Sequence, residues 1–187
     1  GKDMPHDEAK NFTKGKKTAR YYDQSLKEAQ KQKKKDAKLQ EVVRAKDMPW
    51  ENSRHGRLKH VVNEKMNARV KTLDIYIQEI PAGGRSGKHR HMAEEYIFVL
   101  EGRGYDLHWD VNARIEDKYY WDVDKEPKRH DWEAGDIICI PVDTVHQHFN
   151  SDPYKPARLI SGTNRIYKHM GFHDLEQIED APKIKGL

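Results

Sequence analysis

A chain of 187 residues is long enough to bury a core of its own and suits one domain plus an appendage. Its hydrophobic content of 35% and mean hydropathy of −1.08 are low for a single globular unit, so part of the chain lies outside the core. The charge says which part: residues 1–48 hold 14 Lys and Arg against 8 Asp and Glu, while the remainder holds 21 against 23, and nucleic-acid binding by the body loses its support.

A single cysteine, Cys139, excludes an intrachain disulfide framework and fits a reducing compartment. It lies in Ile137-Ile138-Cys139-Ile140, so a buried, inert thiol is expected. No apolar run approaches the roughly 20 residues needed to span a bilayer, and no membrane partner is expected. The chain begins at Gly1 rather than Met, which leaves room for a removed leader. Cytoplasm is the default expectation.

In chain order, residues 1–20 are polar and basic and read as a mobile arm. Tyr21 to Lys46 is rich in Lys, Gln, Glu and Ala, all good helix formers, with a thin apolar stripe of Leu26, Ala29, Leu39, Val42 and Val43. This predicts a solvated helix, preferred over a phosphate-contacting one at Lys31 to Lys38. Pro49 ends it, which places an arm at 1–48 and a domain at 49–187. Strands are predicted around Arg57–Val62, over Lys71–Ile80, where Leu73, Ile75 and Ile77 alternate with polar residues, and over Tyr96–Leu100. Tyr105, Leu107, Trp109 and Val111 give another half-buried strand, and residues 112–132 a long hairpin excursion. Gly135–Pro141, His146–Asn150 and Ala157–Tyr167 complete the set before a short tail helix near Leu175–Ile178. Short strands at close spacing argue for an antiparallel sandwich or barrel.

The stretch Gly83–Gly102 carries the chemistry. His89 and His91 share one face of an extended strand at a rise of about 6.6 Å, and two imidazoles so placed can converge on one ion at about 2.1 Å. Glu95 follows four residues later and His146 is a third histidine in a later segment. Neutral imidazole suits Zn, Fe, Ni and Cu, and a carboxylate extends the choice to Mn.

These residues resemble the two motifs of the cupin family. G-x5-H-x-H-x3-E-x6-G appears in full as Gly83, His89, His91, Glu95 and Gly102. G-x5-P-x-G-x2-H-x3-N appears as Gly135, Pro141, His146 and Asn150, with Asp143 where the family prefers glycine. The resemblance covers roughly residues 70–168. It implies an all-β cupin jelly-roll barrel, here with an N-terminal basic helical arm and a short C-terminal helix. It also implies one divalent metal ion held by His89, His91, Glu95 and His146, with one or two positions open to substrate, water or O₂.

For activity, Val145-His146-Gln147-His148-Phe149-Asn150 is similar to the H-x-H-x-N form of gentisate-type ring-cleaving dioxygenases, which commonly lack the glutamate supplied here by Glu95. The leading expectation is a non-haem Fe(II) dioxygenase acting on a small phenolic or keto acid, with His148 as acid/base and Arg85, Lys88 or Arg103 pairing with a substrate carboxylate. One alternative is a redox-neutral decarboxylase, isomerase or lyase using Mn, Zn or Ni; another is a metal- and small-molecule-binding cupin without turnover. A homodimer is expected, since sheet edges need covering and the arm can exchange between subunits. Tyr96, Cys139 and the tryptophans are expected in the packing. His55, His60, His130, His169 and His173, which lack ligand spacing, are expected at the surface.

Overall fold

A computed structural model describes residues 14–184; the first two-thirds of the predicted mobile arm lies outside them. The chain separates after Leu39 into two units. The first contains α1 (Tyr21–Asp36), which has no buried residue and no side-chain N-cap. Asp23 in its first turn and Lys33, Lys34 and Lys35 in its last complement the helix dipole. The helix stops ten residues short of Lys46, and Gln40 already belongs to the second unit. Its N–H donates to the Asn67 carbonyl and its own carbonyl accepts from Arg69. The boundary therefore falls earlier than the expected residue 48.

The second unit is built on thirteen strands among the described residues. They run β1 (Trp50–Ser53), β2 (Gly56–Val62), β3 (Leu73–Ile80), β4 (Lys88–Arg90), β5 (Glu95–Glu101), β6 (Arg103–Trp109) and β7 (Val111–Ile115). Then follow β8 (Tyr119–Val123), β9 (Lys128–Glu133), β10 (Ile137–Ile140), β11 (Val145–Asn150), β12 (Ala157–Asn164) and β13 (Glu176–Glu179). Six strands form one sheet in the order β1-β2-β3-β12-β5-β10, and five form another in the order β13-β4-β11-β6-β9. Every pairing is antiparallel, and β7 with β8 makes the separate hairpin excursion. This is the jelly roll expected from the motifs.

Alternation builds the core. Glu95, Ile97 and Val99 of β5 face inward while Tyr96, Phe98 and Leu100 face out. Ile97 and Val99 join Ile80, Trp132, Ile138, Ile140, Ala157 and Leu159 in one apolar cluster, where each large side chain contributes about 1.5–3 kcal/mol by leaving water. Four expectations are corrected here. Cys139 is exposed, because β10 is an edge strand with one face outward. Tyr96 is exposed on the same outer face, and of the tryptophans only Trp132 is buried. The short helix, α2 (Ile166–His169), precedes Leu175, and Glu176–Glu179 is instead strand β13, paired with β4.

Candidate metal centre

Register brings the motif residues together. His146 of β11 lies opposite His89 of β4, which places two imidazoles on neighbouring strands of one sheet. Glu95, the first residue of β5, enters from the other sheet, and His91 comes from the loop that joins β4 to β5. One donor atom from each of His89, His91, Glu95 and His146 falls within 4.8 Å of the other three.

The surroundings orient these donors. His91 donates from Nδ1 to the Ala93 carbonyl at 2.8 Å, and His146 from Nδ1 to the Thr144 carbonyl at 2.8 Å. With Nδ1 carrying the proton, both rings turn an Nε2 lone pair inward, the arrangement metal-ligating histidines need. Glu95 Oε2 lies 2.9 Å from His91 Nε2 and 3.1 Å from His146 Nε2. Its Oε1 accepts a hydrogen bond from Ser161. His89 Nε2 and His146 Nε2 are 2.7 Å apart. Two such nitrogens cannot both be bare acceptors at this distance: His89 donates its Nε2–H to His146 when no ion is bound, and a shared cation would replace that bond. Three imidazoles and one buried carboxylate fit a divalent ion of the Zn, Fe, Mn or Ni group.

The electrostatics point the same way. Burial opposes the Glu95 charge most strongly, yet the adjoining His146 and His91 outweigh it and hold the carboxyl well below its usual range. Burial pushes His89 well below the ordinary histidine value, with His55 and His146 adding to the effect. His146 is lowered by burial against the pull of Glu95. Burial lowers His91 too, but its bond to Glu95 prevails and raises it. The centre thus holds a fixed carboxylate and imidazoles that reject protons at two of three positions.

Beside the donors lies a cavity of about 790 Å³, lined by His89, His91 and apolar walls that include Leu58, Val62, Ile75, Tyr76 and Phe172. The cations among its lining residues are paired. Arg54 meets Asp180, Lys168 meets Glu64, and Arg165 binds Asp74 and the carbonyls of Val70, Lys71 and Leu73.

The other expected site residues lie elsewhere. His148 does not line this cavity; its Nδ1 donates to Asp106 Oδ1 at 2.7 Å, and the carboxylate, outweighing burial, raises its pKa. Asp106 also accepts from His108 Nε2 at 2.9 Å and Trp132 Nε1 at 2.9 Å. The structure gives His148 a place in a buried ion-pair network rather than at the ligand space. Arg85 pairs with Glu179 at 3.6 Å, Lys88 stands 3.8 Å over the Trp109 ring, and Arg103 is exposed opposite Glu133. None of the three lines the cavity: Lys88 and Arg103 turn to other faces of their strands, and Arg85 lies in the segment before β4.

Two residues gain importance. Asp143, at the position where glycine was noted as preferred, has φ of 65° and pairs with Arg90, the residue between His89 and His91. His55, expected at the surface, is 7% exposed and lines the cavity. Its ring stacks on His89 with centroids 3.7 Å apart and planes 9° off parallel. No spacing rule links residue 55 to residue 89; only the fold joins them.

The fold and donor set define a cupin with a cluster of three histidines and one glutamate that fits one divalent metal ion. Residues 34–166 match the Auxin binding protein family, and the chain belongs to that family within the cupins. It is 30% identical over 118 residues to germin-like protein 8-11 of Oryza sativa subsp. japonica, covering 62% of this chain and 48% of that protein. The chain therefore spans about half the length of that relative. It is 24% identical over 141 residues to auxin-binding protein T85 of Nicotiana tabacum, covering 74% and 72% of the two chains. Oxalate decarboxylase of Lactobacillus farciminis, solved as a formate complex, superposes with a TM-score of 0.52 at 16% identity over 71% of this chain and 34% of that one.

Proposed function

We propose that this chain is a metal-loaded cupin that binds a small carboxylate with an apolar, aromatic body, and that binding rather than turnover is its task. The observation that carries this reading is the placement of the His89–His91 donors beside a cavity whose walls are apolar and whose cations are already paired. An anionic head finds no free lysine or arginine among the described lining residues, so the centre itself must neutralise it. A bound divalent ion supplies that positive charge and an open position for an oxygen donor.

The chain's residues do the rest. Leu58, Val62, Ile75 and Phe172 receive the apolar body and displace water from it. Glu95, fixed by Ser161, His91 and His146, keeps the donor set rigid and charged. The similarity to a tobacco protein named for binding auxin supports a small-molecule ligand. The second reading is the Fe(II) dioxygenase, favoured by a donor set that leaves coordination positions to spare.

Calorimetric titration of zinc-loaded and metal-stripped protein with phenylacetate, alongside an oxygen electrode on the iron-loaded protein, separates the two. Metal-dependent binding of phenylacetate without O₂ uptake is expected. Phenylacetate binding that ignores the metal would refute the binding proposal, and O₂ uptake driven by a phenolic or keto acid would transfer the case to the enzyme.

A further inference from the structure

His55 occupies the turn between β1 and β2, and that turn is pinned from several sides. The His55 N–H donates to Ser53 Oγ at 3.1 Å, and its carbonyl accepts from the Gly87 N–H at 2.9 Å and from buried Gln78 Nε2 at 3.0 Å. The carbonyl of Arg54 accepts from the Ala181 N–H at 2.7 Å. Gly87 is required for this close approach. A Cβ there would collide with the Gln177 side chain and stand 2.8 Å from the Glu179 carbonyl oxygen and 3.0 Å from that of Arg54. Gly56, at φ of 130°, lets the chain leave the turn directly. The backbone thus fixes the imidazole against His89 and into the cavity.

Both ring nitrogens of that imidazole are buried, and neither has a hydrogen-bond partner among the described residues. Buried polar atoms are rarely left so, and an orphan in a ligand space marks a contact completed by the ligand. If packing on His89 were its only task, an apolar ring would stack as well without desolvating two nitrogens. Metal ligation does not account for it either. Ring lone pairs lie in the ring plane, and two parallel rings 3.7 Å apart cannot share one ion in both planes.

We propose that His55 is the ligand-positioning residue of the cavity, donating a ring N–H to an oxygen of the bound small carboxylate. The ligand class rests on the function proposed above. A carboxylate has two oxygens, of which an ion needs one, and His55 is the donor available to the other. This geometry selects carboxylates over monodentate anions of equal charge, and it selects heads small enough to reach both the donor set and the His55 ring.

The test uses the full chain loaded with cobalt(II), whose visible spectrum reports changes at the centre, in wild type, His55→Phe and His55→Gln. The probes are formate, which has no apolar body, and phenylacetate. His55→Phe is expected to keep one cobalt per chain and to bind formate about tenfold more weakly. His55→Gln, which retains an N–H donor, is expected to recover most of that loss. Unchanged formate affinity in His55→Phe overturns the inference, as does loss of cobalt from that variant. A wild-type spectrum that responds to neither probe overturns it as well. If wild type takes formate but not phenylacetate, the aromatic ligand class fails while formate still decides the role of His55.

Discussion

At the scale of single residues, Asp143 shows how a departure from the family motif is absorbed. The turn after Pro141 needs a left-handed residue, and Asp visits that region more readily than most non-glycine side chains. Its backbone N–H donates to the His91 carbonyl at 3.1 Å, and its carboxylate holds Arg90. Arg90 also meets Asp174 at 3.0 Å and Glu176 at 3.1 Å. The residue that separates His89 from His91 is thereby tied to β11's approach and to β13. We expect Asp143→Gly to relax the turn but lose the ion pair, lowering stability by about 1 kcal/mol. Asp143→Ala loses the pair and keeps the strain, costing roughly 2–3 kcal/mol. Thermal melts of both variants check the order. The spacing of His89, His91 and Glu95 was readable because a strand and a short loop set it locally. His55 was not readable, because its partner stands 34 positions away and only a glycine contact and a buried glutamine bring the turn inward.

At the scale of an element, β11 distributes three polar side chains among three tasks. His146 joins the donor set, His148 pairs with Asp106, and Asn150 donates from Nδ2 to the carbonyls of Ile80, Pro81 and Lys155. The motif asparagine therefore clasps a turn and does not face the centre. The Asp106 carboxyl is depressed: burial opposes its charge, but His148 and His108 prevail. A depressed carboxylate contributes stability above its unfolded pKa, about 3.9, and the raised His148 contributes below its own, about 6.5. The pair is thus at full strength between these values. It weakens as pH rises through the elevated His148 pKa and again as pH falls through the depressed Asp106 pKa. Urea denaturation from pH 3 to 9 should show Asp106→Asn losing about 3 kcal/mol in that window and less above it; a pH-independent loss would contradict the pairing.

The same scale explains two misread elements. Leu175 and Ile178 sit three apart, a helical spacing, but the edge of β4 was open and the ladder of β13 won. Ile137–Ile140 is apolar throughout, which predicts a buried thiol at Cys139, yet β10 is the last strand of its sheet and turns Ile137 and Cys139 outward.

At the scale of the whole molecule, the jelly roll was legible because the alternation and the two motifs agreed. What the sequence withheld was the outer surface of the six-stranded sheet. Tyr96, Phe98, Leu100 and Ile137 are all exposed there, and Phe98 lies opposite both Ile137 and Ile160. This apolar face runs unbroken to the unpaired edge of β10, where antiparallel pairing with a second copy would continue it across a two-fold axis. We propose a homodimer through this face. Sedimentation should give a dimer for wild type and a monomer for Phe98→Lys, and a monomeric wild type would contradict it.

Metal and fold are coupled in the same way. An ion that binds only the assembled donor set adds about 2.7 kcal/mol of stability at a hundredfold excess over its dissociation constant. Zinc should therefore raise the melting temperature of wild type and leave His91→Ala unmoved.

Whether the four side chains hold one ion is tested directly by equilibrium dialysis against zinc, manganese and iron(II) followed by metal analysis. One ion per chain is expected for wild type, with stoichiometric binding lost in His146→Ala and weakened in Glu95→Gln. Less than stoichiometric uptake of every metal by folded wild-type protein, or uptake untouched by His146→Ala, would contradict the centre described here.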